Sequence, residues 1–138
     1  MAPNAQTPLR PGTKRPLKLA SFLMSFVYAW RGITYVARTQ RNARVHLAVA
    51  VAVALAAVLL GLSTGEDALL ALTIALVIAF EALNTVVEAV VDLVTQEYHP
   101  LAKVAKDAAA GAVLVMALGA VGVGLLTMGP HLLRLLAR

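Results

Sequence analysis

The sequence predicts an all-α membrane protein: an N-terminal amphipathic helix on the membrane surface, followed by three transmembrane helices. Three observations lead there. The 138 residues are 60% hydrophobic and only 14% charged, whereas a soluble domain of this size is closer to half apolar. Three long apolar stretches follow one another, each close to the roughly 20 residues that a helix needs to cross a bilayer. Basic residues crowd ahead of the first stretch, the signature of the side of a span that stays inside. There is no cysteine, which excludes a disulfide framework, a thiolate nucleophile and a cysteine-bound zinc.

Residues 1–16, "MAPNAQTPLRPGTKRP", are polar and proline-rich. They read as a disordered tail, because no short apolar core with a small-residue cleavage site follows, as a secretory signal would require. The rest, residues 17–128, reads as a single membrane domain, with a short C-terminal tail at 129–138.

The surface helix is predicted over 17–38. Leu19, Phe22, Leu23, Phe26, Trp30, Ile33 and Ala37 recur at helical spacing, and Tyr28, Arg31, Tyr35 and Arg38 fall on the opposite stripe. Such a helix next to a span lies in the interface plane. The first span is predicted over about 46–62, where Ala48, Ala52 and Ala56 repeat at the four-residue spacing that lets helix backbones approach in lipid. "STGED", Ser63 to Asp67, reads as an acidic turn. The second span covers about 68–94 and breaks at "TQEYHP". The third covers about 100–127, with Pro100 in its first turn, where a missing N–H costs nothing. Ala120 and Gly124 offer it a close-packing pair.

Charge sets the expected topology. Eight Lys/Arg and no Asp or Glu lie between Arg10 and Arg44. That places the N-terminus and the "QEYHPLAKVAKD" connection in the cytoplasm, and the "GED" turn and C-terminus outside. The same distribution explains the basic excess without a nucleic-acid partner, so none is expected.

The most apolar part of the chain still carries a polar stripe. Glu81, Asn84, Thr85, Glu88, Asp92 and Thr95 fall within an arc of about 100° on one helix, and Glu81 to Glu88 spans about 10 Å of its axis. A charge near the centre of a span costs about 2.5–3.5 kcal/mol on insertion scales. The stripe should therefore face other helices, water or an ion. A polar seam holding helices together is the plain structural reading. A functional site is the stronger one for the acids, and Glu81, the deepest, is the candidate general base. Lys103, Lys106 and Asp107 share a face of the next helix. They can hold a metal and a phosphate with the stripe, or equally form an ordinary i,i+4 pair and a snorkelling lysine. No phosphate loop, dinucleotide turn or protein-kinase motif set is present. Spacing alone thus leaves an enzyme, a proton or cation conduit and a structural adaptor open.

The segment "EALNTVVEAVVDLVTQEYHPLAKVAKDAAAGAVL", Glu81 to Leu114, with "SFVYAWRGI" and "RTQRNARVH" upstream, resembles the bacterial diacylglycerol kinase family of small integral-membrane lipid kinases. The resemblance covers about residues 20–128 and is nearest the Gram-positive-type branch, which favours undecaprenol over diacylglycerol. It implies ATP-dependent phosphorylation of a lipid alcohol by a homotrimer of the inner membrane, with sites between subunits at the cytoplasmic face. It also implies roles. Glu81 would take the lipid hydroxyl proton, supported by Asn84, and Glu88 would hold the magnesium that bridges ATP phosphates. Lys106 and Asp107 would contact the nucleotide, while Glu97, Tyr98 and His99 would line the adenosine site with Tyr28. Trp30 and Arg44 would lie near the lipid. Two positions depart from the family pattern. Gln40 stands where many members carry a second metal-binding Glu beside the nucleotide, and Ser21 stands where enteric-type enzymes have an Arg, for which Lys18 is the nearby candidate substitute.

Overall fold

A computed structural model describes residues 18–137. The expected tail at 1–16 lies outside the described residues, as does the side chain of Lys18. The described chain forms four helices: α1 (Lys18–Thr39), α2 (Arg41–Leu60), α3 (Thr64–Val94) and α4 (Pro100–Leu136). The last three are long and apolar enough to cross a membrane. At 1.5 Å per residue, the 31 residues of α3 and the 37 of α4 reach about 46 and 55 Å, well past a hydrocarbon core of about 30 Å. The extra length carries polar residues.

The chain divides into two units, residues up to Gly32 and residues from Ile33 onward. In the first, α1 stacks Phe22 edge-on against Phe26, with ring centroids 5.1 Å apart. The Arg31 guanidinium lies 5.9 Å from the centre of the Tyr28 ring. Leu19, Phe22, Phe26 and Trp30 are exposed, an apolar face suited to the membrane interface.

In the second unit, α3 and α4 pack along most of their length, while α2 touches both more sparingly. The short connection at 95–99 makes α3 and α4 antiparallel neighbours. α2 ends at Gly61, whose φ of 64° is the left-handed conformation that glycine adopts without steric cost. Its N–H caps the carbonyls of Ala57 and Val58.

α3 starts at Thr64, four residues before the expected 68. Ser63 is its cap: Glu66 N–H donates to Ser63 Oγ at 3.4 Å, and Ser63 N–H donates to Glu66 Oε2 at 2.8 Å. This reciprocal capping box turns the expected acidic loop into the first helical turn. There Glu66 and Asp67 also complement the positive end of the helix dipole.

The expected short tail after 128 is instead a continuation of α4 to Leu136. Pro130 deletes one backbone donor inside that stretch, but His131 Nε2 contacts Glu66 Oε1 at 3.1 Å. This ties the end of α4 to the start of α3 and holds the extra turns in register.

The described core is small, and nearly half of its buried residues are polar: Ala43, Ala57, Leu70, Val77 and Val113 beside Glu81, Asn84, Thr85 and Thr127. Ala43 and Ala57 are the buried small residues of α2, while Ala48 and Ala52 remain exposed.

Candidate active site

The polar stripe of α3 turns inward. Glu81 is 2% exposed and Asn84 7%, in a helix otherwise rich in Leu, Ala and Val. Thr85 is buried with them, but its Oγ1 donates to the Glu81 carbonyl at 3.1 Å. That satisfies the hydroxyl within the helix and gives Thr85 a structural part. Asn84 Nδ2 donates to Glu88 Oε1 at 3.3 Å, fixing the amide and leaving its oxygen free. Glu81 Oε2 and Asn84 Oδ1 are both buried without a hydrogen-bond partner among the described residues. An unsatisfied buried polar group costs about 1–3 kcal/mol. Two such acceptors on adjacent turns call for an external donor: a hydroxyl, a cation or water.

Farther along α3, Asp92 Oδ1 accepts from Lys106 Nζ of α4 at 2.6 Å. Lys103 pairs with Asp107 within α4. The two lysines of the connection therefore have separate partners, and only Lys106 bridges to the stripe. Both ion pairs are well exposed, so neither contributes more than about 1 kcal/mol to stability. The Lys106–Asp92 pair can therefore open without unfolding the hairpin.

Between the helices, Thr95 Oγ1 donates to the Glu97 carbonyl and accepts from Glu97 N–H, both at 3.2 Å. His99 caps α4, its Nδ1 accepting from Leu101 N–H at 3.3 Å. Glu97, Tyr98 and His99 are all exposed, Tyr98 at 81%. They form a short, locally ordered rim with an available ring face.

Gln40 is the half-buried N-cap of α2, but its side chain makes no capping bond, so the amide oxygen is uncommitted. Arg44 is exposed in the first turn of α2. Tyr28 and Trp30 are exposed on α1 in the N-terminal unit. The structure thus brings together Glu81, Asn84 and Glu88 on α3, and joins Lys106 to Asp92.

Magnesium prefers hard oxygen ligands and keeps waters and phosphate oxygens, needing only one or two protein carboxylates. Glu88 and the uncommitted amide oxygen of Gln40 are donors of that kind. Among the described residues, no three His, Asp or Glu side chains converge on one point. The set fits a magnesium carried on a nucleotide, not a cage built from protein alone.

Two residues had no role assigned from sequence. Asp92 was legible as a stripe member, but its partner was not. His46 opens the first apolar run, and both it and Glu81 belong to the wall of a small, largely apolar cavity of about 50 Å³ that also includes Ile33, Val36, Ala43 and Ile78. His46 and Ile78 also line a larger groove of about 790 Å³ between α2, α3 and α4.

The family model of prokaryotic diacylglycerol kinase matches residues 27–128. A diacylglycerol kinase of Synechocystis sp. is 51% identical over 134 residues, covering 92% of this chain and 77% of that protein. An undecaprenol kinase of Bacillus subtilis is 48% identical over 115 residues, covering 83% and 94%. A diacylglycerol kinase of Escherichia coli is 36% identical over 99 residues, covering 68% and 77%.

Proposed function

Because this chain belongs to the prokaryotic diacylglycerol kinase family, and so is a lipid kinase of the membrane that uses ATP, we propose that it phosphorylates undecaprenol at the cytoplasmic face, with Glu81 as general base. The observation that carries this reading is the buried pair of unpartnered acceptors, Glu81 Oε2 and Asn84 Oδ1, on the same helix as the Asp92–Lys106 bridge.

On this reading the lipid hydroxyl donates its proton to Glu81 as its oxygen bonds to the γ-phosphorus, and the bond to the β-phosphate oxygen breaks. Asn84 keeps Glu88 in place by donating to its carboxylate. Lys106 leaves Asp92 and places its charge on the phosphates. Asp107, Glu97, Tyr98 and His99 surround the rest of the nucleotide, and Arg44 lies toward the lipid. Magnesium bound with ATP would neutralise phosphate charge, held by Glu88 with the Gln40 amide. Positioning and charge neutralisation are what phosphoryl transfer chiefly requires.

Diacylglycerol is the second substrate candidate. The Bacillus subtilis relative named for undecaprenol supports the first, and the Synechocystis relative named for diacylglycerol supports the second. Competition between the two alcohols at limiting ATP tests the order: undecaprenol should show the higher kcat/KM, and a preference for diacylglycerol would reverse it. A homotrimer is the proposed working form. It is supported by the family resemblance of the segment from Glu81 to Leu114.

Orientation is tested by labelling, which the absence of native cysteine makes clean. A single Gly65→Cys chain should react with an impermeant maleimide in whole cells, once any outer barrier is opened. A Gln96→Cys chain should react only after lysis. The reverse pattern would place the Lys106 cluster outside, away from ATP.

Gln40→Glu should lower the magnesium concentration needed for half-maximal activity, since a carboxylate adds a charge that the amide lacks. A magnesium titration of both forms at fixed ATP reads this out. An unchanged requirement would remove position 40 from the metal.

A further inference from the structure

The end of the α3–α4 hairpin away from the Asp92–Lys106 bridge is held by a second polar contact, His131 Nε2 to Glu66 Oε1 at 3.1 Å. Glu66 divides its work between its two oxygens. Oε2 accepts from Ser63 N–H at 2.8 Å and from Ser63 Oγ at 2.7 Å, which serves the cap of α3. Oε1 faces His131. The contact across the helices can therefore open while the cap stays intact.

The turns that His131 fastens are poorly supported by local structure. Gly129 and Pro130 stand directly before it inside α4, and they are the two residue types least suited to a helix interior. Pro130 has no N–H to offer the Leu126 carbonyl, four residues back. α4 nevertheless runs on to Leu136. Leu132 and Leu135 share an apolar wall with Leu59 and Leu60 of α2, a support that does not depend on pH. Among the described residues, His131–Glu66 is the only ion pair that fastens these turns to α3.

We propose that His131 and Glu66 form a proton-operated clasp: with His131 protonated, residues 131–136 stay docked on the start of α3, and with His131 neutral they swing out at Gly129–Pro130. The proposal is independent of the chemistry at the other end of the hairpin. Histidine is the side chain whose charge ordinarily changes between about pH 5 and 8. Glu66, with donors on both oxygens, stays a carboxylate over that range, so His131 alone switches. In acid the contact is a charge-assisted hydrogen bond between imidazolium and carboxylate. Above the transition a neutral imidazole donates at most a weaker one, with about half the strength. The clasp therefore closes in acid and loosens as pH rises.

Few other charges bear on it. Asp67 follows Glu66 on α3 and favours the protonated ring. Arg134 lies about one turn farther along α4 and opposes it, while Arg138 lies outside the described residues. The end of α2 and the connection at 61–63 bring no titratable group. The side chains of the pair are 21% and 30% exposed, open enough to exchange protons with water and shielded enough to escape most salt screening.

Double electron–electron resonance on the full chain in bilayer discs tests this. The chain has no native cysteine, so spin labels attach only at Gly65→Cys, where the backbone has open space around it, and at Ala137→Cys. Labelled chain is diluted with unlabelled chain so that distances within one chain dominate. Discs expose both faces, so the result does not depend on which side of the membrane this end occupies. At about pH 5 the short, docked distance should dominate, and at about pH 8 a longer one should grow in. The ratio of open to docked chains should rise about fivefold, the difference between a charge-assisted and an ordinary hydrogen bond. His131→Lys, charged throughout, should keep the docked distance at both values. Glu66→Gln keeps the partner that the cap needs but lacks the charge, and should lose the pH response. Identical distances in the native chain at both pH values, or opening in acid, would overturn the proposal. So would a pH response that survives in either variant.

Discussion

Replacing Glu81 by Gln is expected to lower lipid phosphorylation by roughly 10²–10⁴-fold, the contribution of a positioned general base, while the chain still inserts and folds. The amide keeps the shape of the side chain and its buried place on α3. It loses the ability to take a proton. Glu81 Oε2 has no partner among the described residues, so the substitution breaks no hydrogen bond of that oxygen to them. Loss of activity with an unchanged melting profile is therefore the expected combination. Turnover near that of the native chain would remove Glu81 from the chemistry and leave it a buried seam residue.

The second large effect is expected at Lys106. Lys106→Met should cost roughly 10²–10³-fold in activity, as removal of a single electrostatic donor does at other transfer sites, and KM for ATP should rise with it. Stability should move by less than about 1 kcal/mol, because the Lys106–Asp92 pair lies on a solvated surface, with 40% and 58% of the two side chains exposed. Lys103→Met makes the control. Lys103 is held by Asp107 in the next turn, so its loss should be milder. Equal effects at the two positions would mean that the connection supplies a diffuse positive field, with no specific phosphate contact.

The polar stripe was legible in the sequence because it depends on one helix. Once α3 is a continuous helix, the spacing of Glu81, Asn84 and Thr85 puts them on one face, and the cost of exposing acids to lipid turns that face inward. The presence of three spans followed from composition for similar reasons. The ends of the helices were harder. Ser63 and Glu66 carry the capping-box spacing, but beside Gly65 and Asp67 they read as an ordinary turn. The extension of α4 past Pro130 depends on His131 meeting Glu66, a contact between residues 65 positions apart. The same limit hid His46. Its place in the wall beside Glu81 requires knowing which face of α2 meets α3, and a period of 3.6 residues on either helix alone does not say that. Asp92 and Lys106 likewise each belonged to a visible cluster, while the bridge between the clusters arises only from the pairing of α3 with α4.

The most direct test of the account follows γ-labelled phosphate from ATP into the organic phase. Purified chain is incubated with undecaprenol or diacylglycerol, and Glu81→Gln is run in parallel. Labelled lipid phosphate is expected from the native chain, more from undecaprenol than from diacylglycerol, with label near background from Glu81→Gln. Folded native chain that labels neither alcohol, or Glu81→Gln that labels them as well as the native chain does, would contradict it.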